Sequence, residues 1–323
     1  MNVTNRRLFA CFLAFMSCVT SALAAEGTTA ASVANSRDPR QIEIASASSG
    51  EHYVVRVYVP RQAPPPSGFP VLYVLDGNVL FNTFADAMRN RSQAGEIEPA
   101  VVVGVSSADG PNGGDRTFDF TWTDLTTQEK EVIKDLGDNP RWGGAENFFR
   151  TLQFDVKPRV AAMTKVDASR EALLGWSLGG LFTIHTMFEH PQAFSSFIAV
   201  SPSLWRSNRA IFGDIATFET KIQEDPHNLR VFLGVGENEE RVPSGMHFSG
   251  MTHEELVNEM RYCKMVSNFH DFVGRLRPAF TSRNLRWKSR VFEGDSHNSV
   301  PWSSVNPILD YVFPLPPASA PAR

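Results

Sequence analysis

The sequence predicts an α/β fold, with a mostly parallel eight-stranded sheet and helices on both faces. Three observations carry this. Two N-terminal segments with strand character, 41–46 and 53–60, flank the turn dipeptide Ser49-Gly50 and read as an antiparallel pair. Beyond them, short apolar runs suited to buried parallel strands alternate with helix-periodic stretches. One such run, 171–174, leads through Gly175-Trp176-Ser177-Leu178-Gly179 into a helical pattern, so strand, sharp turn and helix follow in order.

Taken along the chain, residues 1–24 read as a secretory signal peptide. Arg6 and Arg7 precede the apolar stretch from Leu8 to Met16, and Ala22-Leu23-Ala24 supplies a small-residue cleavage site. The stretch is too short for a stable membrane anchor, so the expected compartment is periplasmic or extracellular. Residues 25–40 form a small, polar lead, 41–313 a single catalytic-sized domain, and 314–323 a Pro/Ala-rich tail. Within the domain, strands are expected at 70–75 and 100–105 with a helix at 81–91 between them. Residues 106–144 show no strong period and are read as a site-covering insertion, because loops of this length are uncommon without a function. A helix at 146–160 follows, then the 171–174 strand and its helix, which must stop before Pro191. Later strands are expected at 196–200, 229–235 and 287–292, with one long amphipathic helix from Thr252 to Phe269 or beyond before the last.

A chain of 323 residues with 42% hydrophobic content can bury a sizeable core. Its net charge of -4 offers no basic stripe and argues against a nucleic-acid partner. Cys11 and Cys18 lie in the predicted leader, which leaves Cys263 as a lone, helix-borne thiol of the mature chain. A packed core cysteine is the expectation there.

The pentapeptide at Ser177 matches G-x-S-x-G, the nucleophile elbow of the α/β-hydrolase fold, where a serine is exposed on a strained strand-to-helix turn. A serine nucleophile needs a base, and the base an orienting acid, and the fold places them after later strands in the order serine, acid, histidine. His297, beyond the last strand, is the expected base. The acid is expected after the strand that ends at Val235, where Gly236-Glu237-Asn238-Glu239-Glu240 supplies three carboxylates. Glu237 is first off the strand and is the leading choice; Glu239, Glu240 and a Ser177–His297 dyad without an acid stay open. Asp295 is read as a turn residue, and His185 and His190 as packing or surface residues on the helix after the elbow. The oxyanion hole is expected from the backbone N–H of Leu178 and of Asn78, the latter in Leu75-Asp76-Gly77-Asn78. No metal or organic cofactor is required by this chemistry. The six-residue spacing of His247 and His253 lacks the further ligands that a metal site needs.

Leu75-Asp76-Gly77-Asn78, Gly143-Gly144-Ala145, Gly175-Trp176-Ser177-Leu178-Gly179-Gly180-Leu181-Phe182 and Ser201-Pro202-Ser203-Leu204-Trp205 occur in this order. Together they resemble the esterase D-like putative esterases, and among them the periplasmic esterases of ferric catecholate siderophore trilactones. The resemblance covers about 41–313. It implies a serine esterase acting on a bulky, aromatic, anionic ester. In that branch a second tryptophan usually follows Trp205; here the residue is Arg206. Trp122, Trp142, Trp176, Trp205 and Trp302 fall in or beside predicted site loops and can stack on aromatic rings. Arg116, Arg206 and Arg241 lie in similar loops and can meet an anionic substrate. The competing readings are a feruloyl or acetyl carbohydrate esterase, an acyltransferase on the same fold, and a ligand-binding protein that has lost the chemistry.

Overall fold

The computed structural model describes residues 40–315 except 49, 109–114, 134–140, 225–228, 247–249 and 283–284. The predicted leader, most of the lead and tail, and His247 lie outside the described residues.

The strands are β1 (Arg40–Ala45), β2 (His52–Tyr58), β3 (Phe69–Leu75), β4 (Val101–Ser107), β5 (Val166–Trp176), β6 (Ser196–Val200), β7 (Arg230–Gly236) and β8 (Arg286–Phe292). They form one sheet in the order β1-β2-β4-β3-β5-β6-β7-β8. β1 and β2 are antiparallel to their neighbours, and every pair from β4 onward is parallel. The α/β-hydrolase architecture expected from sequence is therefore present. Every residue of β3 is buried, as its unbroken apolar run predicted for a central strand. Its side chains divide by the period-two rule: Val71, Tyr73 and Leu75 join the core on one face, Leu72 and Val74 the core on the other.

Helices cover both faces. α1 (Gly77–Gln93) follows β3. α2 (Arg116–Asp119) and α3 (Thr127–Val132) lie in the segment read as an insertion, α2 capped by Asp115 and α3 by a Thr126–Glu129 capping box. α4 (Ala145–Arg150) runs through a π-helical turn at Thr151–Val156 into α5 (Lys157–Met163). α6 (Leu178–Glu189) follows the pentapeptide, and α7 (Arg206–Arg209) and α8 (Ile215–Glu224) follow β6. The long helix expected before β8 is two helices, α9 (His253–Cys263) and α10 (Met265–Ser282). Lys264 adopts a left-handed conformation, φ 42°, between them, which ends the first ladder although the hydrophobic period continues. α11 (Val300–Ser303) and α12 (Val305–Val312) close the described fold, α12 packing beside α1.

β5 extends beyond its 171–174 run because Val166 still pairs with Phe69 of β3 and Trp176 with Val200 of β6, and Glu171 is accommodated inside it. The buried carboxylate takes Lys157 Nζ at 2.7 Å and the Tyr73 hydroxyl at 3.0 Å, so a charge at this depth is paired twice. The chain order reverses beside β3, where β4 lies on one side and β5 on the other. In open α/β sheets the crevice beyond the carboxyl ends at such a point is where ligands bind.

Candidate active site

Ser177 sits between β5 and α6 with φ 59° and ψ -119°, a conformation that a residue with a side chain adopts only when its surroundings enforce it. The glycines explain how it is reached. A Cβ on Gly175 would stand 2.0 Å from the Gly179 carbonyl oxygen, so the turn cannot close around any other residue. The Ser177 N–H donates to Val200 O at 3.0 Å and its carbonyl accepts from Ser203 N at 3.1 Å, which ties the elbow to the end of β6. Strain recurs at neighbouring strand ends: Asp76 after β3 and Ser201 after β6 also have positive φ, at 52° and 45°. Three adjacent strands thus end in left-handed side-chain-bearing residues around one crevice.

His297 lies in the loop between β8 and α11, buried, with Nδ1 2.7 Å from Glu239 Oε2. Glu239, and not the favoured Glu237, is the carboxylate on the imidazole. The reason is local. Glu237 N–H still bonds Phe292 O at 2.9 Å, extending the β7–β8 pairing, and its side chain accepts from Gly294 N at 3.0 Å. The tight turn that follows brings the third residue back beneath the sheet edge. There Glu239 Oε1 accepts from Gly236 N at 2.5 Å and from the Ser201 hydroxyl. Glu240 turns outward to Ser267 N at 2.6 Å. With a buried carboxylate at Nδ1, that nitrogen carries the proton and Nε2 is the basic atom. Trp176 Nε1 donates to His297 O at 3.1 Å, and the two rings lie 5.1 Å apart, so the elbow's own tryptophan holds the histidine loop. Asp295 accepts from Ser299 at 2.6 Å and Ser303 at 3.0 Å, as a turn residue.

Leu178 and Asn78 are the first and second residues of α6 and α1, where backbone N–H groups have no partner inside the helix. Before α1, Asp76 is held by a two-bond fork from Arg116, Nε to Oδ1 at 2.7 Å and Nη2 to Oδ2 at 2.8 Å. Arg116 is thus committed to positioning the turn at the end of β3. Asn78 lines a small hollow shared with Arg116 and Trp176.

Ser177, Leu178, His297 and Glu239 line one cleft of about 860 Å³, open mouth included. Ser203, whose hydroxyl is 3.4 Å from that of Ser177, lies on the same wall. Its role was hidden in the sequence, although the Ser201-Pro202-Ser203 string that carries it stood out there. The lining also includes Trp142, Trp205 and Arg206 with Met260, Cys263 and Glu259. Of the remaining tryptophans, Trp122 stacks on His185 at 3.9 Å against the core, and Trp302 is largely exposed. Burial lowers His185 to about 4, so it is neutral near pH 7; His190 stacks on Phe149. Both histidines pack away from the cleft, and Arg241 is exposed.

The sequence profile of the putative esterase family matches residues 46–291. The chain belongs to that family. It is an ester-hydrolysing enzyme. Among curated relatives, the ferri-bacillibactin esterase BesA of Bacillus subtilis (strain 168) is 30% identical, the match covering 76% of this chain and 87% of that protein. The siderophore triacetylfusarinine C esterase of Aspergillus fumigatus is 27% identical over 82% of this chain and 89% of its own. Among solved structures, the BES protein from Bacillus cereus superposes with a TM-score of 0.73 at 27% identity, over 90% of this chain and all (100%) of that one. The expected resemblance to siderophore esterases is therefore found. Among the described residues no helix is long and apolar enough to cross a membrane.

Proposed function

We propose that this esterase cleaves the ester bonds of a siderophore through a covalent acyl-enzyme formed on Ser177. Ser177 Oγ attacks the ester carbonyl and His297 takes its proton. Glu239 holds the imidazole in the tautomer that can accept it and stabilises the imidazolium. The Leu178 and Asn78 N–H groups receive the developing oxyanion at the positive ends of two helices. The alcohol leaves with the proton from His297. Water, activated by the same histidine, then releases the acid and restores the serine. The observation that carries this reading is the Glu239–His297 contact at 2.7 Å on the cleft that Ser177 lines. The order serine, acid, histidine after β5, β7 and β8 supports it.

The siderophore assignment rests on the relatives, which act on ferric and iron-free siderophore esters by their names. The cleft is compatible with it, since Trp142, Trp205 and Arg206 line it together with the serine. The leader-like residues 1–24 place the mature enzyme in the periplasm or outside the cell in this reading. The test is a panel of esters: a ferric catecholate trilactone, a feruloyl sugar and 4-nitrophenyl butyrate, with wild type and Ser177→Ala. Trilactone hydrolysis that vanishes in the variant while its Tm is kept is expected. Turnover retained by Ser177→Ala refutes the mechanism, and high feruloyl activity without trilactone cleavage refutes the substrate.

A further inference from the structure

Arg206 lines the same cleft as Ser177 yet is only 4% exposed. Among the described residues, nothing accepts a hydrogen bond from its Nε, Nη1 or Nη2. A guanidinium carries five N–H donors, and leaving them buried without acceptors is strongly unfavourable. Burial also brings its pKa down to about 10, as a desolvated cation requires.

The surroundings hold this side chain without satisfying it. Its guanidinium carbon lies 4.7 Å from the Trp142 ring centroid and 5.9 Å from that of Trp205. A cation resting on an aromatic face keeps its N–H edge available. The acid whose charge most favours it is Glu129, which is fully buried. Glu129 Oε2 accepts from the Thr126 N–H at 2.7 Å in its own capping box, and Oε1, like the guanidinium nitrogens, has no hydrogen-bond partner among the described residues. The backbone beyond Arg206 is also built to place it. Ser207, Asn208 and Arg209 follow with φ of 51°, 54° and 64°, three left-handed residues in succession. Residues that carry a Cβ adopt this conformation only when their surroundings enforce it. Ser207 Oγ pins this turn to Thr123 at 2.5 Å and to the Asp124 carbonyl at 3.0 Å. Strain and desolvation therefore converge on one unsatisfied donor array facing the cleft. Arg116, the other cleft arginine, is different, because Asp76 already occupies its fork.

We propose that Arg206 is the anchor of an anion subsite, which takes a planar pair of acidic oxygens on the substrate, either a carboxylate or a catecholate. The proposal rests on the esterase reading for what is cleaved, but the binding itself needs no chemistry. The pair of oxygens meets the guanidinium edge in two parallel hydrogen bonds while Trp142 backs its face. Glu259, which is buried in the same lining, repels acids that would lie away from the fork.

The test combines binding and turnover. Ser177→Ala, and the double variants Ser177→Ala/Arg206→Met and Ser177→Ala/Arg206→Lys, are titrated calorimetrically with 2,3-dihydroxybenzoate and glutarate. Benzamide and glutaramide serve as neutral counterparts. Arg206→Met is expected to lower the anion-to-neutral affinity ratio by about 30–100-fold, the cost of losing a desolvated, hydrogen-bonded charge partner. Lysine, which lacks the fork, restores only part of that ratio. Both acids carry a carboxylate, so a fall in both, or in glutarate alone, assigns a carboxylate, and a fall confined to dihydroxybenzoate assigns its catechol oxygens. Tm of each variant is measured alongside, because Arg206→Met removes a buried cation and also the charge that faces the buried Glu129. An unchanged ratio overturns the subsite. Equal losses for anions and neutral ligands with a lowered Tm also overturn it, by making Arg206 structural. Turnover by Ser177-intact protein is read separately on 4-nitrophenyl butyrate and 4-nitrophenyl hemiglutarate. Absence of any turnover with Arg206-dependent anion binding retained counts against the esterase mechanism alone.

Discussion

Replacing Glu239 by glutamine separates it from Glu237, the leading choice among the three carboxylates that the sequence left in competition. Three donors converge on the Glu239 oxygens: His297 Nδ1 at 2.7 Å, Gly236 N at 2.5 Å and the Ser201 hydroxyl. A glutamine has one acceptor oxygen and an NH₂ that only donates. If the NH₂ faced Gly236, two N–H groups would collide, and the backbone cannot turn away. The imidazole can answer by moving its proton. The glutamine therefore directs its NH₂ at His297, Nδ1 becomes the acceptor, and the proton sits on Nε2, where it cannot accept one from serine. Trapping the wrong tautomer in this way lowers kcat by about 10⁴. The fold loses little, about 1 kcal/mol, since each remaining donor keeps a partner. Glu237→Gln is the control. Among the described residues its side chain accepts from Gly294 N at 3.0 Å, which an amide oxygen does equally well. Its kcat should stay within about 3-fold of wild type, the scale of an ordinary partly exposed substitution. The assay is initial-rate hydrolysis of 4-nitrophenyl butyrate with urea denaturation on the same preparations. A folded Glu239→Gln within about 10-fold of wild-type kcat would refute the reasoning, as would a large loss in Glu237→Gln alone.

Other perturbations test the frame around the serine. Arg116→Met leaves the buried Asp76 carboxylate unpaired and should cost about 3–5 kcal/mol in urea denaturation. Adding Asp76→Asn should recover most of that, and an additive double variant would show that the fork is not coupled. Asp119 is buried, and burial raises its pKa from 3.8 to about 7. The folded protein therefore holds a proton there that the unfolded chain releases. This contribution is full below about pH 4, is lost as pH rises through 7, and amounts to at most about 4 kcal/mol. Asp119→Asn keeps the acceptor for the Tyr53 hydroxyl and should remove that decline. Comparing the two proteins pair by pair from pH 4 to 8 cancels the opposite slope of His185, whose pKa burial lowers to about 4. Parallel stability curves would contradict the assignment. Gly175→Ala forces a Cβ onto the Gly179 carbonyl and should destabilise by more than about 4 kcal/mol, read as loss of soluble, cooperative protein. A well-folded, active alanine variant would mean the elbow is looser than its contacts.

Much of the frame was legible in the chain because it depends on local patterns. The run from 70 to 75 is apolar on both faces, so it had to be a central strand. Gly175 and Gly179 bracket a serine that no ordinary turn would place there, and His297 follows the last strand with no rival beyond it. The break at Lys264 was not legible, since a left-handed residue can interrupt a ladder without disturbing hydrophobic period. Nor was α7, where three left-handed residues follow Arg206 without a single glycine among them.

By itself the sequence determined the fold class, the nucleophile elbow and the position of the histidine, because each follows from residue type and spacing along a few turns of chain. Tertiary structure alone decided which carboxylate meets the imidazole. Glu237, Glu239 and Glu240 share one short turn, and their chemistry is identical. What separates them is direction: one extends the strand, one faces solvent, and one is carried back under the sheet edge to two donors and His297. Direction at a turn is set by contacts with β8 and with the end of β6, which are distant in sequence. The same holds for Arg206, where only packing shows that Asp76 has satisfied one cleft arginine and nothing described has satisfied the other.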